Sequence, residues 1–360
     1  MSKQPREYED AVRRALAHFL DPETGRAVTE TGQFQGVRIE EDRLVATVGL
    51  TPWSAAITEQ LRGEMQALIA EQLPDVPVEI ELTRHIRELA PLGGTNLRAR
   101  SVIAVGSGKG GVGKSSIAAA LALGLRRAGS RVGLLDADLY GPSIPHLLGL
   151  SDQPVMANER IQPPQADGMP VLSIGLLVPP GEAVIWRGPM LHSALTQFLS
   201  DADWGELDWL VIDMPPGTGD VPISLVQLIP LTGAVVVCTP QDVALLDARK
   251  AIAMFEKVDL PVLGIVENMS GFVCSQCGTR HDIFGAGGAK AAAEQLQLPL
   301  LAEVPLESRL RELADEGRVA EAFDLPAAGP PLDGMVRNLV GALADSNRRH
   351  PPKAELPVIG

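Results

Sequence analysis

Residues Gly106 to Ser116 read Gly-Ser-Gly-Lys-Gly-Gly-Val-Gly-Lys-Ser-Ser, preceded by the apolar run Val102-Ile103-Ala104-Val105 and followed by the helix-forming stretch Ile117 to Leu125. A strand, a glycine loop and a helix in that order are what a phosphate-binding loop requires, and this constrains the fold more than any other stretch. Gly108, four residues, then Gly113-Lys114-Ser115 fit the Walker A pattern. In that pattern the backbone N–H groups from Gly108 through Lys109, Gly110, Gly111, Val112 and Gly113 turn inward around phosphate oxygens, and the positive end of the helix adds its dipole. Lys114 is expected on the β and γ phosphates and Ser115 on Mg²⁺, with Ser116 counted among the nucleotide contacts. The alternative, a plain glycine-rich turn, leaves the full pattern unexplained.

With 360 residues the chain buries a substantial core and is read as more than one domain. No run among its 45% hydrophobic residues is long enough to cross a bilayer, and Met1 to Leu20 is charged throughout, so the expected place is the cytoplasm. A net charge of −14 argues against a general nucleic-acid binder, whose affinity comes from clustered Lys and Arg. Three cysteines are too few for a disulfide framework.

Residues 1–90 read as a small α/β domain. Tyr8, Val12, Leu16 and Phe19 recur at helical spacing until Asp21-Pro22-Glu23-Thr24-Gly25 ends the helix. Val37 and Ile39, then Leu44, Ala46 and Val48, alternate as a hairpin, and Val78, Ile80 and Leu82 supply a last strand. A helix is predicted from Pro52, capped by Thr51, with Ile57, Leu61, Met65, Leu68 and Leu73 facing inward. This order and the Leu-Asp-Pro-Glu start resemble the small domain of MIP18-like iron–sulfur assembly proteins. Leu50-Thr51-Pro52-Trp53-Ser54 stands where that domain carries a cysteine, so docking rather than cluster ligation is expected of it.

Residues 91–99 form a linker, and 100–346 alternate apolar strands with amphipathic helices, predicting a doubly wound, mostly parallel α/β sheet. Strands are expected at 102–105, 132–135, 171–174, 209–212, 234–238, 262–266 and 301–304. The tail at 347–360, rich in proline, is expected to be disordered.

Several of these strands end in polar residues. Val132 to Leu135 runs into Asp136-Ala137-Asp138, and ligands of open α/β sheets sit beyond the carboxyl ends of strands. Leu207 to Asp213 is an apolar strand closing on an acid, the Walker B form, which assigns Asp213 to Mg²⁺ together with Ser115. Met214-Pro215-Pro216-Gly217-Thr218-Gly219-Asp220 then reads as a turn able to follow the γ-phosphate. Asn268 lies just after the strand at 262–266 and carries an amide able to pair with an adenine edge, or serves as a turn residue. Cys274 and Cys277 have a metal-ligand spacing, but two ligands do not complete a cluster or a zinc site. A redox pair, a zinc site completed by His281, or two pairs joined across a dimer axis all satisfy the spacing.

Lys109 inside the loop resembles the deviant Walker A of the MinD, ParA and nitrogenase iron-protein superfamily, which implies that it reaches the partner's nucleotide across a dimer. The same likeness implies that Asp138 orients the attacking water, that Asp136 supports metal and loop geometry, and that Asn268 reads the base. Taken with Asp136 to Ser143, Trp186-Arg187-Gly188-Pro189-Met190, Asp213 to Asp220, Thr239 to Leu245, Glu267 to Ser270, Cys274 and Cys277, residues 100–345 resemble the Mrp/ApbC family of iron–sulfur cluster carrier ATPases. Ser275 replaces a frequent proline. The resemblance implies a homodimeric P-loop ATPase that uses ATP and Mg²⁺ and holds a [4Fe–4S] cluster between subunits on Cys274 and Cys277. Its expected partners are apo iron–sulfur proteins and assembly scaffolds, without nucleic acid or stable membrane association. The rival readings are a ParA/MinD-like positioning ATPase and an ATPase whose cysteines hold structural zinc. Leu332, Val336, Leu339, Val340 and Leu343 form an apolar stripe that a MinD-type protein would offer to a membrane, but it reads better as a helix docked on the core.

Overall fold

The computed structural model describes residues 5–40, 43–138, 141–176, 188–217, 221–274 and 276–352. The chain divides into two compact units, Met1–Glu88 with Val340–Gly360, and Leu89–Leu339.

In the first unit, α1 (Pro5–Leu16) precedes β1 (Phe34–Glu40) and β2 (Arg43–Leu50), which pair antiparallel with Ile39 opposite Leu44. A 3₁₀ segment, Pro52–Ile57, leads into α2 (Thr58–Gln72), and β3 (Val78–Arg84) lies parallel to β2. Tyr8, Val12 and Leu16 on α1 and Leu61, Met65 and Ile69 on α2 are buried, four residues apart on one face of each helix. Each contributes roughly 1.5–3 kcal/mol of burial. Three details differ from the expected pattern. The first helix stops at Leu16, and Phe19 is buried from the turn beyond it. Thr51 makes no capping bond, because its hydroxyl donates to Glu23 Oε2; the helix therefore opens as a 3₁₀ turn, and Ile69 rather than Leu68 is the fully buried residue.

The second unit is built from β4 (Arg98–Gly106), α3 (Lys114–Arg127), β5 (Val132–Asp136), α4 (Ile144–Leu147), β6 (Val155–Ala157), β7 (Arg160–Gln162), β8 (Gln165–Ala166) and β9 (Met169–Ser173). It continues with α5 (Gly188–Ser200), β10 (Glu206–Asp213), α6 (Val221–Leu228), β11 (Gly233–Cys238), α7 (Asp242–Lys257) and β12 (Val262–Val273). β13 (Arg280–His281), α8 (Gly288–Leu296), β14 (Leu300–Glu307), α9 (Ser308–Asp315) and α10 (Gly329–Arg349) complete it, the last running on into the first unit's segment. Among the described residues the main sheet runs β13-β12-β11-β4-β10-β5-β9-β8, with β14 also paired to β12. All pairings among β4, β5, β9, β10, β11, β12 and β14 are parallel, as the alternation of strands and helices predicts. Val102 to Val105 and Trp209 to Ile212 are buried completely, the mark of strands covered by helices on both faces. The five apolar residues of the α10 stripe are buried as well.

β12 departs from expectation. It does not end near Val266 but continues to Val273, and the cysteine pair lies at the tip of the hairpin it forms with β13 rather than in an open loop.

Candidate functional site

Because β4, β5 and β10 are adjacent and parallel, their carboxyl ends bring three sequence motifs to one place. Asp213 is in register with Val105 on one side and Asp136 on the other. The loop after β4 closes on Gly113, whose φ of +78° is open to glycine, and α3 begins at Lys114. The Lys114 ammonium is buried; it donates to Asp213 Oδ1 at 2.6 Å and to Ser115 Oγ at 3.2 Å, and lies 3.5 Å from Asp138 Oδ2. Asp136 holds the following loop: Oδ1 accepts the Asp138 N–H at 3.1 Å, and Oδ2 accepts the Ser173 hydroxyl at 2.9 Å and the Ile144 N–H at 3.3 Å. Ser173 belongs to no motif, and no signal in the sequence marked it.

Three buried carboxylates around one ammonium make an electronegative pocket. Burial, with the charge of Asp213, pushes the Asp136 carboxyl up to about 7 against the donors from Asp138 and Ser173. Burial also raises Asp213, opposed by Lys114. Asp213 Oδ2 is buried and accepts no hydrogen bond from the described residues. An unpartnered carboxylate oxygen near a serine hydroxyl, in a pocket with surplus negative charge, fits a hard divalent cation such as Mg²⁺.

The loop is tied to its surroundings on two sides. The Ser107 carbonyl accepts the Gly217 N–H at 2.8 Å, joining the loop to the turn after β10. Asn268, buried on β12, donates from Nδ2 to the Val112 carbonyl at 2.9 Å, and a Cβ on Gly113 would fall 2.1 Å from that nitrogen. The amide expected to read a base is thus engaged with the loop itself. Lys109 forms no ion pair with the described residues. Leu139, Tyr140, Trp186, Arg187, Thr218, Gly219, Asp220 and Ser275, all within predicted motifs, lie outside the described residues.

Cys274 is half-buried and Cys277 exposed. The Cys274 N–H donates to the Thr279 carbonyl at 3.0 Å and the Gly278 N–H to the Cys274 carbonyl at 2.8 Å, closing the hairpin tip. Cys277 Sγ and Thr279 Oγ1 share a hydrogen bond at 3.3 Å; that hydroxyl, then the Thr279 backbone and Cys274, hold the Cys277 thiol below its ordinary value. Among the described residues no three of His, Cys, Asp and Glu gather as a metal site, and His281 pairs with Phe272 in the hairpin. Cys238 is a buried apolar neighbour of the core, its thiol pushed up to about 12 by burial.

A strand–glycine loop–helix with Lys114 against two acids at strand ends defines a P-loop NTPase. Residues 98–338 match the family described as NUBPL iron-transfer P-loop NTPases, and residues 9–82 match the iron–sulfur cluster assembly protein family. The iron–sulfur cluster carrier protein of Deinococcus radiodurans is 45% identical over 97% of this chain and 99% of its own length. The protein of the same name from Escherichia coli is 44% identical over 88% of this chain and 87% of its own. Among solved structures, a nucleotide-binding protein of Archaeoglobus fulgidus in complex with ADP, with cobalt found, is 42% identical. It covers 64% of this chain and 90% of that one, at a TM-score of 0.56. The chain belongs to the NUBPL iron-transfer P-loop NTPase family, as the likeness to the Mrp/ApbC carriers implied. No helix of the described residues is long and apolar enough to cross a membrane.

Proposed function

We propose that the protein is a homodimeric, cytoplasmic ATPase that receives a [4Fe–4S] cluster from assembly scaffolds, holds it between subunits and delivers it to apo iron–sulfur proteins. The observation that carries this reading is the hairpin tip, which presents one half-buried and one exposed thiol with no third ligand among the described residues. A cluster held by four thiolates then needs a second copy of the same tip, and a two-fold axis supplies it. The relatives' name, iron–sulfur cluster carrier protein, supports the cargo.

In this reading Lys114 leaves Asp213 and Asp138 when nucleotide enters and moves to the β and γ phosphates, while the N–H groups of Gly108 to Ser116 surround the phosphate oxygens. Asp138, released from Lys114, accepts a hydrogen bond from the water that attacks the γ-phosphorus; ADP leaves with the bridging oxygen. Asp136 positions Asp138 through the backbone bond already formed. Ser115 and Asp213 would hold Mg²⁺, which supplies charge stabilisation on the phosphates. Lys109 of each subunit adds positive charge at its partner's γ-phosphate, and Asn268 borders the nucleotide pocket. The small domain docks partners. A positioning ATPase would use the α10 stripe as a membrane anchor, and that stripe is buried.

Paired variants test the site. Lys114→Ala should lose ATP binding, whereas Asp138→Ala should keep binding and lose turnover; unchanged turnover in both contradicts the assignment.

A further inference from the structure

We infer that Asn268 is a positioning residue through which the state of the phosphate-binding loop is passed along β12 to the Cys274–Cys277 hairpin. This rests on the proposed function, in which nucleotide and cluster are handled by one protein.

From Ile265 to Glu267, β12 is paired on both edges, with Cys238 of β11 opposite Glu267 and β14 on the far side. Glu267 is itself buried, and its Oε2 accepts the Ala289 N–H at 3.0 Å in the first turn of α8. The strand is held there by two ladders and a helix end. Beyond Glu267 the β11 ladder stops, and a partner on that edge returns only at Phe272, opposite His281 of β13. On the β14 edge the register breaks in the same place: Asn268 faces Val304 and Phe272 faces Leu306, so Met269, Ser270 and Gly271 stand against Pro305 alone. Met269 and Gly271 take φ values of +59° and +75°. A bulge of this kind is a segment whose geometry its ladders leave open to change.

The bulge is tied to two different functional elements. At its start Asn268 Nδ2 bonds the Val112 carbonyl, in contact so close that no side chain fits on Gly113 between them. At its middle the Arg280 guanidinium, on the return strand of the hairpin, donates to Ser270 Oγ at 3.2 Å and also to Asp282 Oδ1 at 3.1 Å. Val273 then leads directly into Cys274. Phosphates gathered by the loop's N–H groups reorient its peptide units, and Val112 has its carbonyl on Asn268. A shift there reaches the bulge first, because the strand before it is fixed, and the Arg280–Ser270 bond hands it to the hairpin. This role differs from base reading, in which Asn268 would act on the adenine and leave the hairpin unaffected.

The test measures alkylation of Cys277 by iodoacetamide in the full-length, cluster-free protein, followed by peptide mass. Rates are taken with and without saturating Mg²⁺ and a non-hydrolysable ATP analogue, at a concentration where light scattering gives the same oligomeric state in both. In the wild type, nucleotide should change the rate by about fivefold or more, the scale of ordinary site-to-site coupling. In Asn268→Ala the ratio should fall toward one at full nucleotide occupancy. Arg280→Ala, remote from the phosphates, should do the same while binding the analogue with wild-type affinity. A wild-type rate indifferent to nucleotide overturns the inference, as does a ratio retained in both variants. So does an Asn268→Ala protein that keeps the ratio but loses its preference for ATP over GTP. Failure of the wild type to bind nucleotide would instead defeat the proposed function, and this inference with it.

Discussion

Lys114 is a buried counterion of Asp213 as well as the proposed phosphate ligand, and Lys114→Met should therefore cost stability as well as binding. The ammonium lies 2.6 Å from Asp213 and 3.5 Å from Asp138, all three groups being buried. Removing one partner of a buried pair and leaving the other charged costs about 3–5 kcal/mol. For a unit of this size that corresponds to a fall in melting temperature on the order of 10 °C. The sign with pH is set by the acids. Burial already raises Asp213 above its unfolded value and takes Asp136 to about 7; without Lys114 both move further up. A group whose folded pKa is raised contributes stability that is complete at low pH and is lost as pH rises through the folded value. The deficit of Lys114→Met should therefore be small near pH 5, where the acids take up protons, and large above pH 7. Thermal unfolding in chelator, for the wild type, Lys114→Met, Asp213→Asn and the double variant, measures this. The double variant should recover much of the loss, because an amide in place of Asp213 leaves one buried charge fewer unpaired. A Lys114→Met protein within about 0.5 kcal/mol of wild type at pH 8, the scale of ordinary surface substitutions, or strictly additive variants, would refute the reasoning.

The same geometry sets other outcomes. Mixing inactive Lys109→Ala chains with inactive Asp138→Ala chains should restore part of the ATPase activity, since one site of the heterodimer then has an intact Asp138 and a partner's intact Lys109; no recovery means each subunit supplies its own groups. With the metal-free protein at pH 8, iodoacetamide should modify Cys277 rapidly and Cys238 only after denaturation, because one thiol is exposed and lowered and the other is buried and raised to about 12. Rapid labelling of native Cys238 would contradict its placement in the core.

The doubly wound sheet was legible because its strands are long apolar runs that close on acids, and only a parallel sheet covered on both faces makes such runs stable. The pocket was legible for the same reason: Gly108 to Ser116, Asp136, Asp138 and Asp213 each stand at a strand end. Contacts between residues remote in sequence escaped. Asn268 reaches Val112 across 156 positions, and no periodicity encodes that. The run Glu267-Asn268-Met269-Ser270-Gly271 has the composition of a turn; it became part of a strand because β14 and β13 both pair with Phe272 and Val273, the next two residues. Thr51 looked like a helix cap, but its hydroxyl was drawn to Glu23, 28 residues away.

The central claim is that two copies of one thiol pair hold the cargo. Anaerobic reconstitution followed by iron, sulfide and zinc analysis, with the subunit count taken by light scattering, tests it most directly. The proposed function predicts about four irons and four sulfides per dimer, abolished by Cys274→Ala or Cys277→Ala and unaffected by Cys238→Ala. One tightly bound zinc per subunit, released by His281→Ala, would contradict it.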